Sequence, residues 1–448
     1  MKSNISIDDF VTEQLLKKYF NKLYKICRSI LGKGFRESLD IIGEIVDLKK
    51  KKIKSGTKVL DWTVPDEWNI NDAYIISPDG KKFANFKNHN LHVVNYSIPV
   101  NKKVTLEELK KHLYTLPELP NAIPYVTSYY KRQWGFCIKY NEYLKLKKGK
   151  YKVVIDSKIK PGHLVYSDTL IPGKTNKEIL LSTYLCHPQM ANHELAGPLV
   201  WSILYKILKA TGPHNYSYRF LICPENIGAA AFLHYSKKKV KKIVAGYIIH
   251  CLGNGKKITY KKSRLGNSLA DKAALNVINN SNFPNEIIDF FPDGSDERQF
   301  CSPGFNLPIG SIMRNMYTRP NESKMDFKEY HTSLDNENFI SFKTIIESIK
   351  IYYETLLTID NNFTPIGKIQ YGTPQLSKSS INLYENIMNF RIKKKQEKTR
   401  VTLEILNLAE GTLDLLDIAN KKKFKLVDHL DRINNLLKSK YIKKIKDF

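Results

Sequence analysis

The sequence predicts an α/β protein that carries a β-rich insertion and a small helical module at its C-terminal end. Three observations carry this expectation. From residue 178 onward, short apolar runs alternate with amphipathic stretches. Residues 57–160 follow strand grammar instead, and residues 371–448 hold three short segments with helical Leu/Ile spacing.

Residues 7–50 read as helix. Phe10, Leu15, Leu16, Phe20, Leu23, Ile26 and Cys27 recur mostly at three- and four-residue steps, and Ile41, Ile42, Ile45 and Val46 continue after a Gly-containing turn. From about 57 the stretches TKVLDWTVP, WNINDAYIIS, KNHNLHVVNYSIPV and KYKVVIDSKI are short, β-branched and aromatic, and are broken by Pro, Gly, Asn and Asp. Then EILLSTYLC reads as a buried strand and ELAGPLVWSILYKILKA as a helix. YSYRFLICP, NIGAAAFLHYSKK and KIVAGYIIHCLG follow as strand, helix and strand. A sheet of this kind binds ligands beyond the carboxyl ends of its strands. After a polar stretch and the basic run RIKKKQEKTR come VTLEILNLA, LLDIANKK and LVDHLDRINNLLKSKY, which suit a helix-turn-helix or winged helix. The expected divisions are an N-terminal helical part of the core (1–56), the insertion (57–160), the α/β domain (161–365) and the C-terminal module (371–448).

Composition narrows the class. With 42% hydrophobic and 26% charged residues among 448, neither wholesale disorder nor a collagen-like chain fits. No apolar run approaches the ~20 residues of a membrane span. The opening MKSNISIDDFVTEQLLKKYF carries acids and a helical period rather than a signal peptide, so the expected location is the cytoplasm, with no membrane partner. Six scattered cysteines without a C-x-x-C pair argue against a disulfide framework and a cysteine zinc finger. The net charge of +28 comes mostly from lysine, since only 11 of 72 basic residues are Arg. An AT-rich genome writes such a composition regardless of function, so the charge is not read as a nucleic-acid surface.

The chemistry concentrates in four stretches. In TYLCHPQMANHELAGP, His187 follows an apolar strand, and His193 and Glu194 open the next helix, a set suited to a divalent zinc. Glu225, in FLICPENIG, sits at the ligand edge of the sheet, where burial could prepare it for general-base duty; a helix N-terminal acid is the structural alternative. Asp296 follows a Gly-Ser turn in PDGSDERQFCSPGF, and EYHTSLDN offers His331 with Asp335, as metal ligand with supporting carboxylate or as a turn cap. His250 ends another strand. His89, His92, His112, His163, His214, His234 and His429 lack supporting neighbours and read as structural or solvent-facing. No G-x-S-x-G, P-loop, H-E-x-x-H or G-x-G-x-x-G is present.

At this point a family resemblance emerges. The order His…Asp…Glu…Asp…His on an alternating α/β sheet belongs to the co-catalytic zinc exopeptidases, and this chain resembles it in part. It is more closely similar to the bacterial aminopeptidase-like proteins of domain of unknown function 4910, which have a three-layer zinc-exopeptidase-like core, an inserted domain of unknown function 2172 and a C-terminal winged helix. The stretches SGTKVLDWTVPDEWNINDAYI, NLHVVNYSIPV, LPNAIPYVTSYYKRQWGFC, STYLCHP, PENIG, KKSRLGN, GSDERQFCSPGFNLP and EYHTSLDN carry the resemblance across about 55–336.

The resemblance places His187 on the first zinc ligand, His331 on the last and Glu225 on the carboxylate that takes a proton from the attacking water. Asp296 matches a Ser-Asp motif lining the site, as ligand or substrate contact. Three positions depart from the two-metal pattern. His193 stands where the bridging aspartate should be, Asn226 replaces the second glutamate, and His250 replaces the strand-end aspartate. A neutral imidazole cannot bridge two cations, so the expected centre is one zinc on His187, His193 and His331, with Glu194 as a substitute for His193. Arg314 and Tyr330, near the last ligand, are candidates for oxyanion or carboxylate contacts.

The expected function is therefore a single-zinc amide or peptide hydrolase acting on a small peptide or N-acyl metabolite, with a homo-oligomer left open. The rivals are an inactive aminopeptidase-like binding protein and a DNA-binding regulator using the C-terminal module. Against the regulator, DHLDRINNLLKSK has one Arg and two acids, a poor base reader.

Overall fold

The computed structural model describes residues 6–292, 294–316, 326–369, 371–378, 383 and 393–445. The apolar runs EILLSTY and SYRFLIC become parallel neighbours inside an eight-stranded mixed sheet. Every residue in both is buried, as expected of central strands covered on both faces. Across the sheet the order is Lys50–Lys54, His163–Ile171, Ser217–Cys223, Glu178–Tyr184, Ile243–Ile248, Ile309–Met313, Ile258–Lys261 and Asn285–Ile288. The two strands that follow Glu178–Tyr184 in the chain lie on opposite sides of it. Its carboxyl end is thus a switch point, where a crevice opens.

The helical reading of 7–50 holds as α-helix over Glu13–Tyr24 and Lys33–Ile42, and the chain then enters the edge strand Lys50–Lys54. Its sequence KKKIK buries only Ile53, so it shows no apolar alternation, and its exposed lysines blunt an open sheet edge. It pairs antiparallel with His163–Ile171, with Lys54 opposite His163. Residues 55–162 therefore leave the sheet and return at one point. Within that excursion Lys82–Phe83, Glu67–Ile76, Lys150–Lys160 and Val100–Thr105 form a four-stranded antiparallel sheet.

The helix Ala196–Thr211 follows the central strand and packs against the long helix Phe342–Asp360, which also meets Glu13–Tyr24 and Leu269–Asn279. Gly197 lets the start of this helix approach the sheet. A Cβ there would lie 2.3 Å from the Ile249 carbonyl oxygen and 2.9 Å from Thr183 Oγ1. Gly197→Ala is expected to cost about 1–3 kcal/mol in urea unfolding, since the Ile249–His250 backbone cannot yield cheaply.

At the C-terminal end, helices Lys393–Leu408, Leu415–Lys422 and Leu430–Lys438 and the ribbon Pro365–Gly367/Ile442–Lys444 match the winged-helix expectation. The first helix begins earlier than expected, inside the basic run, whose residues 391–392 lie outside the described residues. The polar stretch ahead of that run is described only at 371–378 and at 383. This module is docked on the α/β core. Asn276 donates to Asn420 Oδ1 and the Phe424 carbonyl, both at 3.0 Å, and accepts from Leu426 N–H at 2.9 Å. Lys272 pairs with Asp417 at 2.6 Å. Arg432, the single Arg of the stretch weighed for base reading, is buried. Among the described residues no helix is long and apolar enough to cross a membrane.

Candidate metal centre

Three loops meet where the switch point opens. His187 lies just past the central strand, His193 in a π-turn, Ala191–Leu195, that precedes the following helix, and His331 in a loop reached much later in the chain. A π-turn is a common local device at functional sites. Here Asp335 pins it. Its carboxylate accepts the backbone N–H of Asn192 at 2.6 Å and of His193 at 2.9 Å, and its own carbonyl accepts Ala191 N–H at 3.0 Å. Asp335 is thus the turn cap of the two roles weighed, and what it positions is His193. The His331 loop is fastened from the insertion: Tyr125 N–H donates to the His331 carbonyl at 2.8 Å and Ile123 N–H to Ser333 Oγ at 3.0 Å.

The outcome is a convergence of imidazoles. One ring nitrogen from each of His187, His193 and His331 lies within 4.8 Å of the other two. The Nε2 atoms of His193 and His331 are 3.2 Å apart. Two nitrogens bound tetrahedrally at zinc–nitrogen distances of about 2.05 Å would lie about 3.3 Å apart, so the spacing of this pair suits a shared metal. The outer nitrogens are held too. Glu194 Oε2 lies 2.7 Å from His187 Nδ1, and Tyr184 Oη 3.4 Å from His193 Nδ1. Carboxylate and hydroxyl partners of this kind orient metal-binding imidazoles. Beneath them the buried Arg28 donates from Nε to the His187 carbonyl at 2.9 Å.

Electrostatics prepares two of the three rings for coordination, whereas His187 must release its proton as a metal binds. Burial, and then the neighbouring imidazoles, hold His193 well below the usual histidine range; burial and His187 do the same for His331, so both offer neutral nitrogens at pH 7. For His187 burial opposes the charge, but Cys186 and Glu194 outweigh it and carry the ring well above its ordinary value. Burial pushes the Cys186 thiol up to about 11. A second trio within ligand distance, Cys186, His187 and Glu194, shares His187 with the first, and its carboxylate already bonds that imidazole.

Glu225 brings a carboxylate to the same crevice. Its Oε2 lies 3.7 Å from His187 Nε2, and burial pushes its pKa up to about 7, with His187 pulling the other way. The turn that aims it is strained: Asn226 has φ 59°, and its N–H donates to Asp296 Oδ1 at 2.5 Å. Gln189 (φ 41°), Cys251 (φ 52°) and His331 (φ 53°) are likewise left-handed. Such conformations cost about 1–3 kcal/mol each and persist where surrounding structure imposes them, typically at functional sites.

Several expected contacts turn out differently. Glu194 does not replace His193; both of its oxygens hold His187, through the ring and through the backbone N–H at 2.8 Å. Asp296 lies behind Glu225, occupied by Asn226 N–H and by the Cys223 thiol at 3.6 Å, instead of lining the pocket. Arg314 turns towards the long helix, where Glu347 (2.9 Å) and Ser348 (3.2 Å) take its guanidinium and Phe283 lies under it. His250 pairs with Ser311 Oγ at 3.1 Å, outside the trio. Tyr330 does belong to the pocket; its ring stacks on His331 at 3.9 Å. Of the histidines read as structural, His92, His112, His214 and His234 spend ring nitrogens on Cys137, Trp134, Leu208 and Leu60 backbone groups.

Sequence reasoning missed Tyr125 and Tyr184. Tyr125 comes from the insertion and sets its ring edge-on to His187 (5.2 Å) and His331 (5.1 Å), with its hydroxyl 2.9 Å from that of Tyr129. Nothing local to LPNAIPYVTSYY signals that placement. Tyr184 was legible only as the last residue of a buried strand.

Comparisons agree with this architecture. Residues 17–362 match the family model of domain of unknown function 4910, and 365–444 match a winged helix-turn-helix model. A Clostridium acetobutylicum protein, provisionally described as a polysaccharide biosynthesis protein with an aminopeptidase-like domain, is 42% identical over 400 residues, 89% of each chain. A crystal structure provisionally described as a peptidase from the same organism superposes with a TM-score of 0.87 at 38% identity, covering 98% of both chains. The zinc aminopeptidase BSAP from Bacillus subtilis shares the fold at a TM-score of 0.52 and 11% identity, over 76% of this chain and 94% of its own. The chain belongs to the aminopeptidase-like family of domain of unknown function 4910, with a winged helix at its C-terminal end.

Proposed function

We propose that this protein is a metal-dependent amide hydrolase that works with a single zinc held by His187, His193 and His331. The observation that carries the reading is the meeting of three ring nitrogens within 4.8 Å, with the Glu225 carboxylate 3.7 Å from one of them. Zinc in such a place supplies Lewis acidity towards a carbonyl and makes nearby water easier to deprotonate. Glu225, partly shielded and with its pKa pushed up to about 7, takes the proton of the attacking water and returns it to the departing amine. Glu194 and Tyr184 keep two of the imidazoles in the orientation that coordination needs. Tyr125 and Tyr330, both half-buried, wall the pocket beside His331.

One zinc is favoured over two because His193, Asn226 and His250 occupy the positions where two-metal relatives need shared or additional carboxylates. The C. acetobutylicum relative's description points to a saccharide pathway, where amides on amino sugars are ordinary intermediates. The test is hydrolysis of a panel of small amides by the full-length protein. Activity is expected to disappear with a chelator and to return with about one equivalent of zinc. Turnover that survives thorough chelation would overturn the proposal.

A further inference from the structure

The stretch GSDERQF holds a basic residue that the proposed hydrolysis leaves unused. Arg298 stands half-buried in the short helix Glu297–Phe300 and grips the residue next to the general base. Its Nε donates to Asn226 Oδ1 at 2.7 Å, and Gln299 Nε2 approaches the same oxygen at 3.4 Å. Asp296 holds the backbone of that residue, accepting Asn226 N–H at 2.5 Å. Three residues around one helical turn thus keep Asn226 at its φ of 59°, and Asn226 anchors Arg298 in return.

That single bond through Nε leaves the outer edge of the guanidinium open. Among the described residues nothing accepts from Nη1 or Nη2 of Arg298, and neither atom is sealed from solvent. An arginine anchored at its inner nitrogen and free at its two outer ones is a preorganised fork for a carboxylate. Its charge also reaches the reacting centre. Burial raises the Glu225 carboxyl, while His187 and, more weakly, Arg298 pull it back down. Because Glu225 returns its proton to the departing amine, the amide nitrogen lies on the Glu225 side of the metal. A group carried by that nitrogen extends past Glu225 towards Asn226 and Arg298. One guanidinium matches one negative charge, and the nearby Glu225 and Asp296 disfavour a dianion such as a phosphate monoester. We propose that Arg298 is a specificity-determining residue that binds a carboxylate on the amine side of the scissile amide, so that the substrates are N-acyl amino acids. The inference rests on the proposed zinc site and gives it a substrate class.

The test uses zinc-loaded full-length protein and two reverse hydroxamates. Their carbonyl and N-hydroxyl oxygens chelate the metal, and the nitrogen carries the variable group. Isothermal titration at pH 7 compares N-formyl-N-hydroxyglycine with its uncharged primary amide, in wild type, Arg298→Gln and Arg298→Lys. Wild type is expected to bind the acid about tenfold more tightly, the scale of a charge-assisted hydrogen bond. Arg298→Gln should still load zinc and hold the amide, but bind the acid no better, and Arg298→Lys should keep part of the preference. Equal affinities in wild type, no binding of either ligand, or a preference that survives in Arg298→Gln would overturn the inference. So would an Arg298→Gln variant that loses both ligands alike, since Arg298 would then serve only to hold the Glu225 turn. Protein that takes up no zinc fails at the loading step, before any ligand is added, and would overturn the metal reading together with this inference.

Discussion

Glu225→Gln is expected to keep its zinc and to lose about 10²–10⁴-fold in turnover of an amide substrate. The substitution is isosteric and leaves the backbone bonds of the turn in place, including Glu225 N–H to Cys186 Sγ at 3.3 Å and Asn226 N–H to Asp296. What it removes is a proton acceptor whose pKa burial has moved up to about 7, close to where a base is most effective. Metal content and circular dichroism of the variant separate this loss from loss of the site. A Gln variant with full turnover would show that the proton leaves by another route.

The second large effect concerns the ligands and their supports. His331→Ala removes one of three nitrogens and is expected to reduce zinc content at micromolar protein to near zero. Glu194→Gln should keep the ligands but weaken zinc binding by about 10–100-fold, because a neutral amide replaces the carboxylate on His187 Nδ1. The two variants are distinguished by competition with a chelator of known affinity. If Glu194→Gln behaves like His331→Ala, Glu194 is a ligand in its own right, and the geometry around His187 has to be reassigned.

Much of this architecture was legible in the sequence wherever one physical signal dominated. The central strands carry unbroken apolar runs, and helices such as Ile227–Ser236 follow them at short range, so alternation alone predicts the sheet. The strand Lys50–Lys54 was hidden because an edge strand with one buried residue has no periodicity to read. The site divides the same way. His187, His193, Glu225 and Tyr330 sit at strand ends or loops flagged by local pattern. The contacts of Arg314 and Asp296 depend on which neighbour reaches them first: Glu347 on a distant helix, and the Asn226 backbone. Tyr125 illustrates the limit, since its place beside His331 follows from backbone pairing between segments some 200 positions apart. Such long-range pairing leaves no trace in composition or spacing.

The most direct test of the account is metal content per chain, by elemental analysis of untagged full-length protein purified without added metal. The account predicts about one zinc per chain, absent in His331→Ala, as expected of a three-histidine site with an open position. Two metals per chain would contradict the single-zinc assignment and mean that carboxylates rebuild a pair around His193. No metal, even after zinc is offered, would contradict the hydrolase itself.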